Sequence, residues 1–165
     1  MLSKVLSKST CAQCRFCCSF RRCSLWETPL FPEEVAEKLK SDTIHFDKKE
    51  GGGKVYCQMN LEYKYKNQDP DEEAACEFLD SHKGCILSDE DKPFDCKIWP
   101  LRIMKKEEKL VIALTPTCPA INETGIDVMT RLVNDGLGQS IYDYAVKNPY
   151  IIKEYREGFP VLMEF

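Results

Sequence analysis

The chain has 165 residues, enough for one domain with a modest core of its own. A formal net charge of −4 argues against nucleic acid as the main partner. No apolar run approaches membrane-spanning length, and 43% hydrophobic with 30% charged residues is ordinary for a soluble globular protein.

Residues 1–10 read as a short polar lead-in. Met1 to Lys8 lacks the apolar region and cleavage site of a secretory signal. Ten cysteines without export point to a reducing compartment, the cytoplasm, where thiols persist as metal ligands. Cys11, Cys14, Cys17 and Cys18 then form a C-x2-C-x2-C-C run, in which a tight loop between cysteines two residues apart turns both sulfurs to one side. Adjacent Cys17 and Cys18 point in different directions along most backbones, and a disulfide between them would be strained. Ferredoxins use C-x2-C-x2-C for three corners of a cubane, with a further Cys-Pro, and Cys118-Pro119 supplies that dipeptide here. Cys23, beside an arginine pair, reads as a supplementary ligand or a structural thiol.

Residues 31–40 read as a short helix, with Pro32 in the first turn, Glu33 and Glu34 at its positive end and Lys38 and Lys40 at the other. Gly51 to Gly53 mark a turn. Alternation follows from Val55 through Cys57, Met59, Leu61, Tyr63 and Tyr65, which predicts a half-buried strand over 55–66 with Cys57 in the core. The acidic stretch 69–73 reads as a solvated loop. Cys76, Gly84-Cys85 and Cys96 form a second group, with Pro93 and Pro100 restricting the backbone around Cys96. Leu101 to Met104 and Leu110 to Leu114 flank a polar turn and predict a β-hairpin leading into Cys118. From Thr124 the period becomes helical through Ile126, Met129, Val133, Leu137 and Ile141, with Gly136 and Gly138 as a kink or end. Asn148-Pro149 stops that helix, a second short one covers Tyr150 to Glu157, and the apolar tail after Phe159 docks on the core. The expected fold is a single irregular α+β domain over 1–165, metal-stabilised, with a short antiparallel sheet. Its motif region is 11–120 and its helical C-terminal cap is 121–165.

The ordered set of Cys11 to Cys18, Cys76-x-Phe-Leu, Gly-Cys85, Lys-Pro-x-x-Cys96-Lys-x-x-Pro and Cys118-Pro119 resembles the YkgJ-type CxxCxxCC cysteine-cluster family. That family is also described as zinc- or iron-chelating domains, and it is similar to the metal-binding part of flagellin lysine methylases, which are linked to an iron–sulfur cluster. Lys92 and Lys97 stand where the family usually has arginine, so charge is kept and bidentate recognition lost. The segment between the two cysteine groups also carries its own strand and an extra cysteine. The chain is much shorter than those enzymes, so methylation is not implied for it.

The candidate ligands are Cys11, Cys14, Cys17, Cys18, Cys76, Cys85, Cys96 and Cys118, enough for two four-ligand sites or for one site and a spare set. All-thiolate ligation suits iron–sulfur or zinc, and the ferredoxin-like spacing favours [4Fe–4S], one cluster or two. His45 and His82 lack ligand spacing. Arg15, Arg21, Arg22, Lys92, Lys97 and Arg102 neighbour the cysteines and favour their thiolates, while Phe16, Phe94 and Trp99 would shield the cluster. The expected role is electron transfer or cluster delivery to a protein partner, with no nucleic acid or membrane partner. The alternatives are a zinc-stabilised interaction module or an accessory subunit of a methylase-like enzyme. A stand-alone enzyme is disfavoured, because no nucleophile–base pair, P-loop, dinucleotide glycine pattern or C-x3-C-x2-C radical signature occurs.

Overall fold

A computed structural model describes residues 7–22, 24 and 26–165. The fold is α+β. In chain order it contains α1 (Lys8–Cys14), a 3-10 turn (Phe16–Cys18), β1 (Ser19–Arg21), β2 (Leu30–Pro32), α2 (Glu33–Leu39), β3 (His45–Gly51) and β4 (Lys54–Asn60). A 3-10 turn at Glu62–Lys64, β5 (Glu73–Ala75), β6 (Leu79–Asp80), β7 (Gly84–Cys85) and α3 (Phe94–Ile98) follow. The remainder is β8 (Leu101–Lys106), β9 (Lys109–Leu114), α4 (Pro119–Thr124), α5 (Ile126–Leu132), α6 (Gly138–Lys147), β10 (Lys153–Glu154) and β11 (Val161–Glu164). Among the described residues no helix is long and apolar enough to cross a membrane.

The hairpin β8–β9 pairs Leu101 with Leu114 and turns at Glu107-Glu108, as the apolar arms and polar turn predict. It is the centre of a four-stranded sheet ordered β10-β8-β9-β11. The β10–β8 pair is parallel, the one departure from the antiparallel sheet expected. Residues 150–157 are therefore not a helix: a 3-10 turn at Pro149–Ile151 gives way to β10. The apolar tail docks as β11, with a register shift between Val161 and Met163. The C-terminal region is thus helical only in its first part. Its long apolar period is split at Gly136, whose φ of 102° breaks the helix between α5 and α6.

A three-stranded sheet, ordered β2-β4-β3, separates two cores. Side chains alternate across a strand, so Leu30 joins one core while Phe31 and Cys57 join the other. The first core gathers Ile98, Leu101, Ile103, Ile112, Met129, Val133 and Ile141 under the hairpin and helices. The second gathers Phe20, Phe31, Cys57, Met59 and Phe78. Because both faces of β4 are covered, Gln58 is buried along with its neighbours Cys57 and Met59. The predicted strand over 55–66 ends at Asn60, where the chain winds into the 3-10 turn at Glu62–Lys64. The lead-in likewise ends early: Ser7 caps α1, its hydroxyl accepting from the Thr10 amide at 3.0 Å. The rest of the expected lead-in, residues 1–6, lies outside the described residues.

Candidate metal centre

Cys11 and Cys14 lie in a helix rather than on a loop. At positions i and i+3 of α1 they still share a face. Arg15 ends that helix at φ 55°, its amide donating to the Cys11 carbonyl at 3.0 Å. The chain then turns through Phe16–Cys18 into β1.

Two short ladders bring the second cysteine group to the first. Strand β1 pairs antiparallel with β5, Ser19 opposite Ala75, and the Cys76 amide donates to the Cys18 carbonyl at 2.8 Å. Strand β6 pairs with β7, Leu79 opposite Cys85, and the Leu79 amide donates to the Cys76 carbonyl at 3.2 Å. Helix α1 rests on Gly84: a Cβ built there would meet the Ala12 Cβ at 2.9 Å. Gly84 also has φ +75°, so both backbone and packing require glycine beside Cys85. Arg15 fastens the same contact, donating to the carbonyls of Ala12 at 2.9 Å and of Ser81.

Cys96 comes from α3, which begins after Pro93, and Cys118 caps α4. Helix α3 is anchored by a buried ion pair. The Asp95 carboxylate lies 3.0 Å from the Arg102 guanidinium, both side chains 2% exposed, and also accepts from the Leu30 amide at 3.3 Å. Arg102 stacks over Trp99 at 4.5 Å.

Cys11, Cys14, Cys17, Cys18, Cys76, Cys85, Cys96 and Cys118 all line one cavity of about 480 Å³. The nine described cysteines are all free, and Cys57 is buried on β4 away from that cavity. Cys23 lies outside the described residues. Among the described residues no three His, Cys, Asp or Glu side chains gather tightly enough to hold a single ion. The thiols surround a space rather than meet at a point. His45 packs edge-on against Tyr63 and His82 sits in the exposed β6–β7 turn, neither on the cavity wall.

Four of the six predicted cations reach the cavity wall: Arg15, Lys92, Lys97 and Arg102. Arg21 and Arg22 do not, because they pair with Glu27 and Glu62. Lys83, which no motif marks in the sequence, joins the wall beside Gly84-Cys85. Phe16 and Trp99 line the cavity, but Phe94 turns into the first core and stacks on Tyr144 at 3.8 Å. Phe94 therefore shields the core rather than the thiols.

Burial and mutual proximity raise the thiols of Cys11, Cys17, Cys76, Cys96 and Cys118 above the ordinary value. Desolvation is the main cause at Cys96, raised well above the ordinary value with the Asp95 charge adding to it, and at Cys76, pushed up to about 12. Cys17 is raised chiefly by a hydrogen bond with Cys18 and then by burial, while Lys92 opposes the shift. Cys11 is raised by burial and then by Cys17, Cys118 and Cys14, while Lys92 opposes the shift.

No family model, no curated protein and no solved structure matches this chain. What the site can hold follows from its own donors. Glu27, Asp89 and Asp95 are the carboxylates that share the wall, Glu27 and Asp95 each held by an arginine, and the eight sulfurs are the soft donors on offer. The buried Nε of Arg102, also on the wall, has no hydrogen-bond partner among the described residues. A buried donor without a partner needs an acceptor, and the sulfurs of a metal–sulfur cluster accept such bonds. The residues fit the group.

Proposed function

We propose that this chain binds iron–sulfur of the [4Fe–4S] type in the thiol-lined cavity and works in the cytoplasm, in electron transfer or cluster delivery to a protein partner. One observation carries the reading. Eight cysteines from distant parts of the sequence surround one space of about 480 Å³, far more than the ~10–15 Å³ that a single water-sized body requires. A mononuclear zinc site with Zn–S of ~2.3 Å holds its four sulfurs within ~4 Å of one another, closer than the described thiols gather. A cubane carries its thiolates on outer corners and tolerates a wider ring of donors.

A bound cluster of this type supplies one-electron redox chemistry. The chain's residues set its surroundings. Trp99 and Phe16 form apolar wall, Arg102 offers its unpaired N–H, and Lys92 lowers the cost of forming thiolates at Cys11 and Cys17. The wall also carries Lys83, Lys92 and Lys97, with Phe16 54% exposed, and this mixture of charge and apolar surface suits transient contact with a protein partner.

Anaerobic purification with iron, sulfide and zinc analysis tests the reading. Visible charge-transfer absorption that bleaches on reduction is expected, with iron and acid-labile sulfide in equal amounts. Cys57→Ala is expected to retain both. A colourless protein with stoichiometric zinc and no sulfide would sink the proposal in favour of a zinc-stabilised module.

A further inference from the structure

Beside the cavity, two large apolar side chains stand in solvent on elements that are firmly placed. Helix α1 rests on Gly84, and Arg15 at its end donates to the Ser81 carbonyl, so α1, the 3-10 turn after it and the β6–β7 hairpin adjoin. Phe16 on that turn is 54% exposed, and Ile86, directly after β7, is 59% exposed. The backbone of Ile86 is pinned. Its amide donates to the Phe78 carbonyl at 2.9 Å, and Phe78 and the next residue, Leu87, both pack in the second core. Apolar side chains held outward at fixed positions mark a surface for contact with another molecule.

Charge indicates what that surface meets. Of the carboxylates on the cavity wall, Glu27 and Asp95 pair with Arg21 and Arg102. The wall's remaining charges are four cations, Arg15, Lys83, Lys92 and Lys97, and one carboxylate, Asp89. Among the described residues none of these four cations forms an ion pair. Arg15 directs its N–H groups to the carbonyls of Ala12 and Ser81, which leaves its charge uncompensated. Asp80 in the same hairpin lies off the wall and accepts from the amides of His82 and Lys83. The chain as a whole has a formal net charge of −4, so this positive excess is local and does not follow from a basic composition.

We propose that this face docks an acidic surface of a protein partner, with Phe16 and Ile86 as the apolar contacts and Arg15, Lys83, Lys92 and Lys97 as the charged surround. The inference rests on the reading of a cluster protein that serves a protein partner, and it adds the chemistry of that partner's surface. Complementary charge around an apolar contact guides encounter and orientation. The overall negative charge disfavours the extended anionic surfaces of nucleic acid and lipid, whereas an acidic protein patch engages this face alone.

The test uses the full-length, anaerobically reconstituted protein and a labelled glutamate-rich peptide containing spaced leucines, with the lysine-rich counterpart as control. A carbodiimide takes up the water released as a peptide carboxylate condenses with a lysine amine, so the amide cross-links map the contact. Cross-links at Lys83, Lys92 or Lys97 are expected, and binding followed by fluorescence anisotropy should weaken as salt is raised. Lys83→Glu/Ile86→Ser should weaken it about tenfold, and Lys83→Arg should preserve it. Iron and sulfide content should be unchanged in both variants. Tighter binding of the lysine-rich peptide, of single-stranded DNA or of phosphatidylserine vesicles overturns the proposal, as do cross-links spread evenly over lysines elsewhere or a salt-sensitive dimer of the protein itself. If circular dichroism shows that Lys83→Glu/Ile86→Ser does not fold, the cross-link positions in the wild type decide. Zinc without sulfide removes the iron–sulfur reading, and the cross-link positions then report on the docking face independently of it.

Discussion

In the four-stranded sheet, Leu101, Met104, Val111 and Ile112 have no solvent exposure: Met129, Val133 and Ile141 from the helices pack with Leu101 and Ile112 on one face, and Trp26, Tyr155 and Phe159 pack with Met104 and Val111 on the other. In the thiol-bearing part, none of residues 9–14 is buried, the 3-10 turn buries nothing, and the two ladders are only three and two residues long. Each fully buried aliphatic side chain contributes about 1.5–3 kcal/mol, so the sheet has the means to hold itself. A seven-residue helix such as α1 has no comparable support, because isolated helices below ~12–15 residues are marginal in water. Apolar burial organises one region. The other has donors arranged around a space, and an inorganic group can substitute for the core it lacks.

The largest effect expected from this contrast follows metal removal. After chelation under reducing conditions, amides of residues 8–21 and 73–86 should lose hydrogen-exchange protection, while residues 101–114 keep theirs. Equal loss in both regions would break the comparison. Next is the ion pair where the two regions join. Arg102→Met strands the buried Asp95 carboxylate, and a loss of about 3–5 kcal/mol is expected in urea unfolding, felt by probes in both regions together. Gly84→Ala should act on one region alone. Its Cβ collides with Ala12 in α1 and its φ of +75° is unfavourable, so a local cost of about 1–3 kcal/mol is expected. Metal retention should fall while the unfolding midpoint of the sheet stays within error.

The gentlest change is set by pH. The fold raises Cys76 from 9.0 to about 12, with Cys11, Cys96 and Cys118 raised as well. A raised thiol pKa means that the folded chain keeps protons the unfolded chain has released. The stability it contributes is therefore complete below pH ~9 and lost progressively toward pH ~12. The melting temperature of the metal-free protein should fall across that window. A flat or rising profile would show that the thiols are not confined as described.

The same contrast explains what could be read in advance. The hairpin was legible because Leu101 to Met104 and Leu110 to Leu114 are continuous apolar arms around a charged turn. The helical region was legible because its period runs from Ile126 to Ala145. Strand β4 was legible only to Asn60: Leu61, Tyr63 and Tyr65 continue the alternation in sequence, but the backbone has already turned. The cysteine motifs marked the wall of the cavity, yet the ladders that assemble it left no trace, since two or three residues show no period. The helical state of Cys11 to Cys14 was signalled by Ser7, a capping residue overlooked beside the more conspicuous sulfurs. Strand β10 was mistaken for helix because Tyr150, Ile151 and Ile152 are apolar without alternation, and their burial is decided by packing with residues distant in sequence.

Both flanks of the central hairpin are sealed by a single stretch of chain, with Lys153-Glu154 beside β8 and Val161–Glu164 beside β9. Detaching that stretch would expose two rows of unsatisfied peptide groups at once. A sheet so uncovered invites a second molecule to add its own strands. The segment after Pro149 therefore doubles as a guard against self-association, and a chain cut there should precipitate from dilute solution well before its helices melt.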